Sequence, residues 1–153
     1  MGAANHHGTL VVVGDTGVLI RGQSGSGKST LALALIAAGQ RLGLFVRLVA
    51  DDQVYLQHHH GRLIGWVPQP LAGLVEMPPL GPVPIAFEPR AQVDWVVDLV
   101  TPNDTERMVD IGPITLDRVT LPLLKLPQRN TEPAVTALLK ILGDKVLPGK
   151  LPL

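Results

Sequence analysis

The sequence is poor in several residue types, and each shortage excludes a class of protein. It contains no cysteine, which excludes disulfide bonds and thiolate metal sites and fits a reducing compartment. Aromatic residues make up 3% of the chain and hydrophobic residues 46%, so the core must be built from aliphatic side chains. The 13 basic and 13 acidic side chains cancel, which gives no electrostatic reason to expect nucleic acid or an anionic membrane as a partner.

Long apolar runs are also missing. No stretch approaches the roughly 20 apolar residues that a membrane-spanning helix needs. The N-terminal residues do not combine a basic segment with a long apolar one, as a signal peptide would. We therefore expect a cytoplasmic protein without a membrane partner. A length of 153 residues suffices for one domain with a real core, so we predict a single domain over 1–153 with a frayed tail at 143–153.

The N-terminal part of the chain contains short β-branched runs and one long run of alanine and leucine. Residues 9–13 (TLVVV) and 18–22 (VLIRG) predict a hairpin with its turn at Asp15 and Gly17. The run of alanine and leucine that follows has no interior breaker, so it predicts a buried helix ending near Gly39.

The rest of the chain predicts strands, turns and one more helix. Histidines 58–60 occupy the expected tip of a hairpin, and adjacent histidines on a turn cannot all converge on one metal. The proline-rich segment 67–90 predicts loop or edge structure, and Pro122 is expected to break a later strand. The last helix is expected to be capped by Thr131 and to end at Gly143. These elements predict an α/β domain with a mixed central sheet and flanking helices.

The segment GQSGSGKST, between a predicted strand and a predicted helix, matches the pattern G-x-x-x-x-G-K-[ST]. Glycines allow successive N–H groups to point at phosphate oxygens, and the start of the helix adds its positive dipole end. In such a loop the lysine reaches the β- and γ-phosphates, and the serine after it binds Mg²⁺. We therefore predict a P-loop that binds a nucleotide through Gly22, Gln23, Ser24, Gly25, Ser26, Gly27, Lys28, Ser29 and Thr30.

Two apolar strands could supply the acidic group that such a site needs. One leads into Asp51 and Asp52, and the other ends near Asp98. Neighbouring residues of a strand point to opposite faces, so only one of the adjacent pair is expected to face the γ-phosphate. An aspartate there can accept the proton of an attacking hydroxyl, although aspartate is also common where a strand enters a turn. Spacing alone does not choose between the two strands.

The combination HHGTLVVVGDTGVLIRGQSGSGKSTLALALI…RLVADDQVYL resembles the catalytic domain of HPr kinase/phosphorylase, and the resemblance covers about residues 6–142. That bacterial enzyme phosphorylates a serine of the phosphocarrier protein HPr. The chain looks like the short α-proteobacterial form, which lacks the N-terminal domain of longer relatives. The resemblance implies a PEP-carboxykinase-like P-loop fold, ATP and Mg²⁺ as cofactors, HPr as partner and a homo-oligomer, as a hexamer.

The resemblance also implies roles for individual residues. Asp51 matches the catalytic aspartate, which accepts the serine proton in phosphorylation and returns it in the reverse reaction. His7 matches a histidine that assists this carboxylate. Asp52 is expected to support the metal or the geometry. Glu76 matches a glutamate that binds Mg²⁺ together with Ser29.

Two arginines and one signature segment differ in how well they match the family. Arg107 is similar to the arginine that contacts the transferred phosphoryl group, and Arg129 is similar to the last arginine of the family's C-terminal motif. The signature around Glu76 departs from the family, because Pro78 and Pro79 replace an arginine and a glycine. This signature is linked to the reverse reaction, phosphorolysis, which is therefore a weaker expectation than the kinase reaction.

Two other functions fit a P-loop of this size. One is a small-molecule kinase, although the chain shows no obvious lid and no second substrate motif. The other is a nucleotide-sensing module that binds ATP without catalysis, which the departure from the family signature in the proline-rich segment leaves open.

Overall fold

The protein was analysed as a computed structural model, which describes residues 3–102 and 111–146. The strands of this part are β1 (Ala4–His7), β2 (Thr9–Val13), β3 (Thr16–Arg21), β4 (Val46–Ala50), β5 (Gln53–His59), β6 (Arg62–Trp66), β7 (Leu74–Glu76), β8 (Pro82–Pro84), β9 (Arg90–Val100), β10 (Ile111–Leu116) and β11 (Val119–Pro127). The helices are α1 (Lys28–Leu42), α2 (Thr131–Val146) and a short 3₁₀ helix (Gln69–Leu71).

Nine of the strands form one mixed sheet, in the order β1-β5-β6-β9-β3-β2-β4, with β11 paired to β9 and β10 paired to β11. The long strand β9 organises this sheet. One of its edges pairs with β3 in parallel. The other edge is shared, because residues 90–92 pair with β6 and residues 96–100 pair with β11. The sheet curls where the two partners diverge. The predicted α/β architecture with a mixed central sheet is confirmed.

Two aliphatic cores lie on opposite faces of the sheet. Helices α1 and α2 pack on one face, where Leu31, Leu35 and Leu138 are among the fully buried side chains. On the other face, the curl brings β5 and β6 over the central strands, so that Leu56 and Leu63 bury the second core. Among the described residues, no helix combines the length and the apolar character needed to cross a membrane.

Helix α1 is longer than the sequence predicts. It passes through Gly39 and ends at Leu42, where Gly43 takes φ 71° and donates its N–H to the Gly39 carbonyl. Gly39 is required by packing rather than by the helix end, because a Cβ there would lie 2.4 Å from a methyl carbon of Val46. The glycine therefore marks a close approach between α1 and β4.

Two other predicted breaks are wrong. Strand β11 continues through Pro122, which faces Pro113 of β10. In an antiparallel ladder, every second pair of facing residues exchanges no N–H bond. Two facing prolines fit such a pair, so neither interrupts the ladder. Helix α2 likewise continues past Gly143 to Val146, and Gly143 is buried within it. Burial against neighbouring elements outweighs the weak helix propensity of one glycine.

The turns are close to their predicted places. The first hairpin turns at Gly14 and Asp15, whereas Gly17 lies within β3, where a Cβ would come 1.8 Å from the Gln92 carbonyl oxygen. The predicted hairpin tip at the histidines is confirmed, with His60 and Gly61 both at positive φ. The proline-rich segment forms the 3₁₀ helix and the separate β7–β8 hairpin.

Candidate active site

The glycine-rich loop, Gly22–Gly27, joins β3 to α1 as predicted. Gly25 and Gly27 have φ of 82° and 99°, a left-handed conformation that side chains disfavour. Lys28 folds back over the loop, and its Nζ donates to the carbonyls of Gly22 and Gln23 at 3.0 and 3.2 Å. The ammonium is therefore buried beside the loop, where it contacts the negative ends of two carbonyl dipoles.

A second basic residue holds the loop from the C-terminal side. Arg129, between β11 and α2, donates its backbone N–H to the Ser26 carbonyl at 3.0 Å. Its side-chain Nε donates to the Gly25 carbonyl at 3.0 Å. Arg129 has φ 55° and an exposed side chain, so the chain passes closely over the loop at this point.

Asp51 follows β4 and lies next to the first turn of α1. Its Oδ1 accepts hydrogen bonds from Ser29 Oγ at 2.6 Å and from Thr9 Oγ1 at 3.0 Å. Its Oδ2 accepts the backbone N–H of Glu76 at 3.0 Å. The residue is only 7% exposed. Three neutral donors thus fix a buried carboxylate without cancelling its charge.

Asp52 has a different environment from its neighbour. It takes φ 66°, and its side chain is 60% exposed. Its Oδ1 contacts His7 Nε2, and its carbonyl accepts the N–H of Gly8 at 3.0 Å. His7 therefore has a different partner from the one expected, because it contacts Asp52 rather than Asp51. The reason is that β1 pairs with β5, which places His7 opposite Gln53, directly after Asp52.

These groups surround a cleft of about 620 Å³, which is large enough for a nucleotide phosphate chain and an attacking group. The β7–β8 hairpin forms the side opposite the loop. The lining residues are Ser24, Gly25, Gly27, Lys28, Ser29, Thr30, Asp51, Asp52, Gln53, Leu71, Leu74, Val75, Glu76, Pro78 and Pro82.

Several of the other predicted site residues within residues 3–102 do not line this cleft. Gly22, Gln23 and Ser26 form the back of the loop, with Ser26 only 1% exposed. Asp98 lies elsewhere, within β9, and Arg21 donates to it twice, at 2.7 and 2.8 Å. Arg107 lies outside the described residues.

The oxygen atoms beside the loop fit a hard divalent cation. Ser29 Oγ, the Asp51 carboxylate and Glu76, whose side chain is exposed at the cleft, supply the ligand type that Mg²⁺ prefers. Within residues 3–102 and 111–146, no cluster of three or more histidine or acidic side chains is arranged to hold a metal alone.

Comparison with known proteins identifies the family. Residues 2–115 match the family description "HPr Serine kinase C-terminal domain". The chain belongs to this family. The predicted resemblance to the HPr kinase family is therefore confirmed.

Relatives of this chain were found among curated proteins and solved structures. The HPr kinase/phosphorylase of Clostridium tetani is 47% identical over 75 residues, which cover 49% of this chain and 23% of that protein. That of Limosilactobacillus reuteri is 35% identical over 133 residues, covering 79% and 40%. The chain thus spans less than half the length of these relatives. The Hpr(Ser) kinase/phosphatase structure from Coxiella burnetii matches with a TM-score of 0.80 at 24% identity, covering 93% of this chain and 97% of that one.

The sequence analysis missed Thr9 and the apolar part of the cleft. Thr9 is fully buried at the start of β2, yet its hydroxyl contacts Asp51. A polar residue opening an otherwise apolar strand was the available signal. Leu71, Leu74 and Val75 line the cleft from the proline-rich segment, whose sequence gave no indication that it would fold back over the loop.

Proposed function

We propose that this domain transfers the γ-phosphoryl group of ATP to a seryl hydroxyl of HPr. Family membership and the names of the relatives support the reaction and the partner. The observation that carries the proposal is the contact between Ser29 Oγ and Asp51 Oδ1 beside the glycine-rich loop. It joins a phosphate-binding loop to a fixed carboxylate, which are the two parts that phosphoryl transfer requires.

In this proposal the glycine-rich loop is a P-loop in a PEP-carboxykinase-like fold. The loop amides and the N-terminus of α1 bind the phosphates. Lys28 leaves the carbonyls of Gly22 and Gln23 and turns to the β- and γ-phosphates, because an anion is a stronger partner than two carbonyls. Arg129 keeps the loop in place from behind.

Ser29 and Glu76 would hold Mg²⁺, with Asp51 close beside them. When bound, this ion would neutralise charge on the phosphate oxygens. The Glu76 backbone N–H already binds Asp51, so the glutamate and the aspartate are tied together before any ligand arrives.

Asp51 is proposed as the proton acceptor. A carboxylate offers about four lone-pair sites, and the three described bonds leave one of them for an incoming hydroxyl. As the serine oxygen bonds to the γ-phosphorus, its proton passes to Asp51, and the bond from that phosphorus to the β–γ bridging oxygen breaks to release ADP. Asp52, paired with His7, would support this geometry from the exposed side of the cleft. Arg107 is kept as a proposed contact of the transferred group.

The same groups working in reverse would let inorganic phosphate take the phosphoryl group from phosphoserine and form pyrophosphate. This half of the proposal has less support. Pro78 lines the cleft where the family signature carries arginine, so no positive charge is added at that side.

The proposal also covers the location, the oligomeric state and the partners of the enzyme. We propose a cytoplasmic homo-oligomer, a hexamer by resemblance, acting on HPr and on neither nucleic acid nor a membrane. Sedimentation of the purified protein tests the oligomeric part directly.

The main test mixes the protein with ATP, Mg²⁺ and HPr and measures phosphoserine by mass spectrometry. We expect stoichiometric labelling of one serine and no labelling of HPr in which that serine is alanine. Lys28→Met is expected to abolish labelling, since the loop loses its only side-chain cation for the phosphates.

Two other results would redirect the proposal. Tight nucleotide binding without transfer to any acceptor indicates a sensor module. Transfer to a sugar or nucleoside but not to HPr indicates a small-molecule kinase.

A further inference from the structure

The hydroxyl of Thr9 contacts both aspartates at the base of the cleft. Its Oγ1 donates to Asp51 Oδ1 at 3.0 Å and accepts the backbone N–H of Asp52 at 3.3 Å. Thr9 is fully buried. A single buried oxygen thus links the side chain of one aspartate to the main chain of the next.

The directions of these two bonds make the link specific. A hydroxyl has one hydrogen to donate, and the Asp51 carboxylate can only accept it. The Asp52 N–H can only donate, so it must use a lone pair of the same oxygen. Neither bond can reverse, and the hydroxyl is held in one orientation by two partners of opposite kind.

Asp52 needs such a restraint because of its backbone. Its φ of 66° lies in the left-handed region, which a residue with a Cβ disfavours. The bond from its N–H to Thr9 holds the peptide group before Asp52, and the bond from Gly8 N–H to its carbonyl holds the peptide group after it. The left-handed turn separates the two carboxylates, burying Asp51 and leaving Asp52 exposed beside His7.

The Thr9 bond differs in purpose from the other bond to the same oxygen. In the structure, Asp51 Oδ1 accepts from both Ser29 and Thr9. Under the proposed function, Ser29 would also hold the metal through a lone pair of its oxygen. Of these two side-chain donors, Thr9 is the one with no metal to hold, so its bond to Oδ1 serves to position the carboxylate.

We propose that Thr9 is a positioning residue for phosphoryl transfer, holding the Asp51 carboxylate at the cleft and Asp52 in its left-handed turn. The inference rests on the proposed function and deepens it. Valine has nearly the shape of threonine, so Thr9→Val removes the hydroxyl and keeps the packing of β2. Thr9→Ser keeps the hydroxyl and removes a methyl group.

The kinetic test compares these variants by kcat for HPr phosphorylation and by the Kd for ATP. We expect Thr9→Val to lower kcat about 10- to 100-fold, as is typical for partners of site residues, and to change the Kd less than about threefold. Thr9→Ser should recover most of the rate. Thr16→Val is the matched control, since Thr16 is also fully buried, whereas within residues 3–102 and 111–146 its hydroxyl has one hydrogen-bond partner, Asp15, at 3.4 Å. A Thr9→Val enzyme with wild-type kcat, beside an active wild type, overturns the inference and leaves the proposed function standing.

A second measurement does not depend on activity. Loss of the Thr9 acceptor should speed hydrogen exchange of the Asp52 amide, measured by NMR, in Thr9→Val but not in Thr9→Ser or Thr16→Val. If the wild type fails to phosphorylate HPr, the proposed function fails, and this measurement still decides whether Thr9 holds the turn. Unchanged exchange at Asp52 in Thr9→Val refutes that role.

Discussion

Asp51 follows one apolar strand and Asp98 lies near the end of another, but the fold gives the two acids opposite chemical environments. Asp51 is held by two hydroxyls and a backbone N–H, all neutral, at the edge of a cleft. Asp98 is held by the guanidinium of Arg21 through two short bonds. A carboxylate held by neutral donors keeps its charge for a metal or a proton, whereas one paired with arginine is already neutralised. The partner, and not the strand that carries the acid, decides which aspartate can act.

The largest expected effect is the difference in activity between Asp51→Asn and Asp98→Asn. Asparagine fills the same space but cannot accept the serine proton, so Asp51→Asn should lower kcat by about 10²- to 10⁴-fold. Asp98→Asn should leave kcat within about threefold of the wild type, since Asp98 does not line the described cleft. HPr phosphorylation under saturating ATP measures both.

Equal losses of kcat in Asp51→Asn and Asp98→Asn would show that the two aspartates do not differ in function. Nucleotide affinity serves as the control, because both variants retain the glycine-rich loop and should bind ATP normally. An Asp51→Asn protein with wild-type turnover would exclude Asp51 as the proton acceptor.

The second effect concerns the stability that the Arg21–Asp98 pair contributes. Asp98→Asn leaves a guanidinium without its anion at a position where Arg21 is 28% exposed. We expect this to lower the free energy of unfolding by about 1–2 kcal/mol, less than for a fully buried pair. Urea denaturation measures it.

Arg21→Gln combined with Asp98→Asn tests whether the loss comes from the pair itself. Because the two residues are in direct contact, the double variant should lose less stability than the sum of the two single losses, by at least about 0.5 kcal/mol. Strict additivity would show that the bidentate contact contributes nothing.

The two aspartates also show what the sequence can and cannot predict. Local signals were sufficient to predict the glycine-rich loop, because its glycines, lysine and serine are contiguous in sequence and lie between one strand and the first turn of one helix. The choice between Asp51 and Asp98 depends on pairing across the sheet, where Arg21 lies opposite Asp98 in the β3–β9 register. That register joins residues 77 positions apart. The contact of His7 with Asp52 likewise depends on β1, a strand with no recognisable pattern.

Errors in the predicted fold have the same origin. Gly39 and Pro122 are helix and strand breakers in isolation, and neither breaks its element. Gly39 stays in α1 because Val46 of β4 occupies the place of a side chain. Pro122 stays in β11 because Pro113 faces it and no ladder bond is lost. In both cases the explanation lies in a residue of a neighbouring element, which a propensity assigned to the segment alone does not include.

The smallest expected effect is on nucleotide affinity, and it follows from a comparison of two arginines, Arg21 and Arg129. Arg21 is occupied by Asp98, whereas Arg129 has no carboxylate within salt-bridge distance among the described residues and binds the glycine-rich loop through Nε. Arg129→Gln should therefore raise the Kd for ATP by about three- to tenfold, because the variant loses one exposed hydrogen bond that orders the loop.

Arg118→Gln is the matched control, because Arg118 is also exposed and at positive φ, on the distant β10–β11 turn. Fluorescence titration with a nucleotide analogue measures both. Equal affinities in the two variants would mean that the backbone bond from Arg129 to Ser26 is enough to hold the loop, and that the side chain contributes nothing to nucleotide binding.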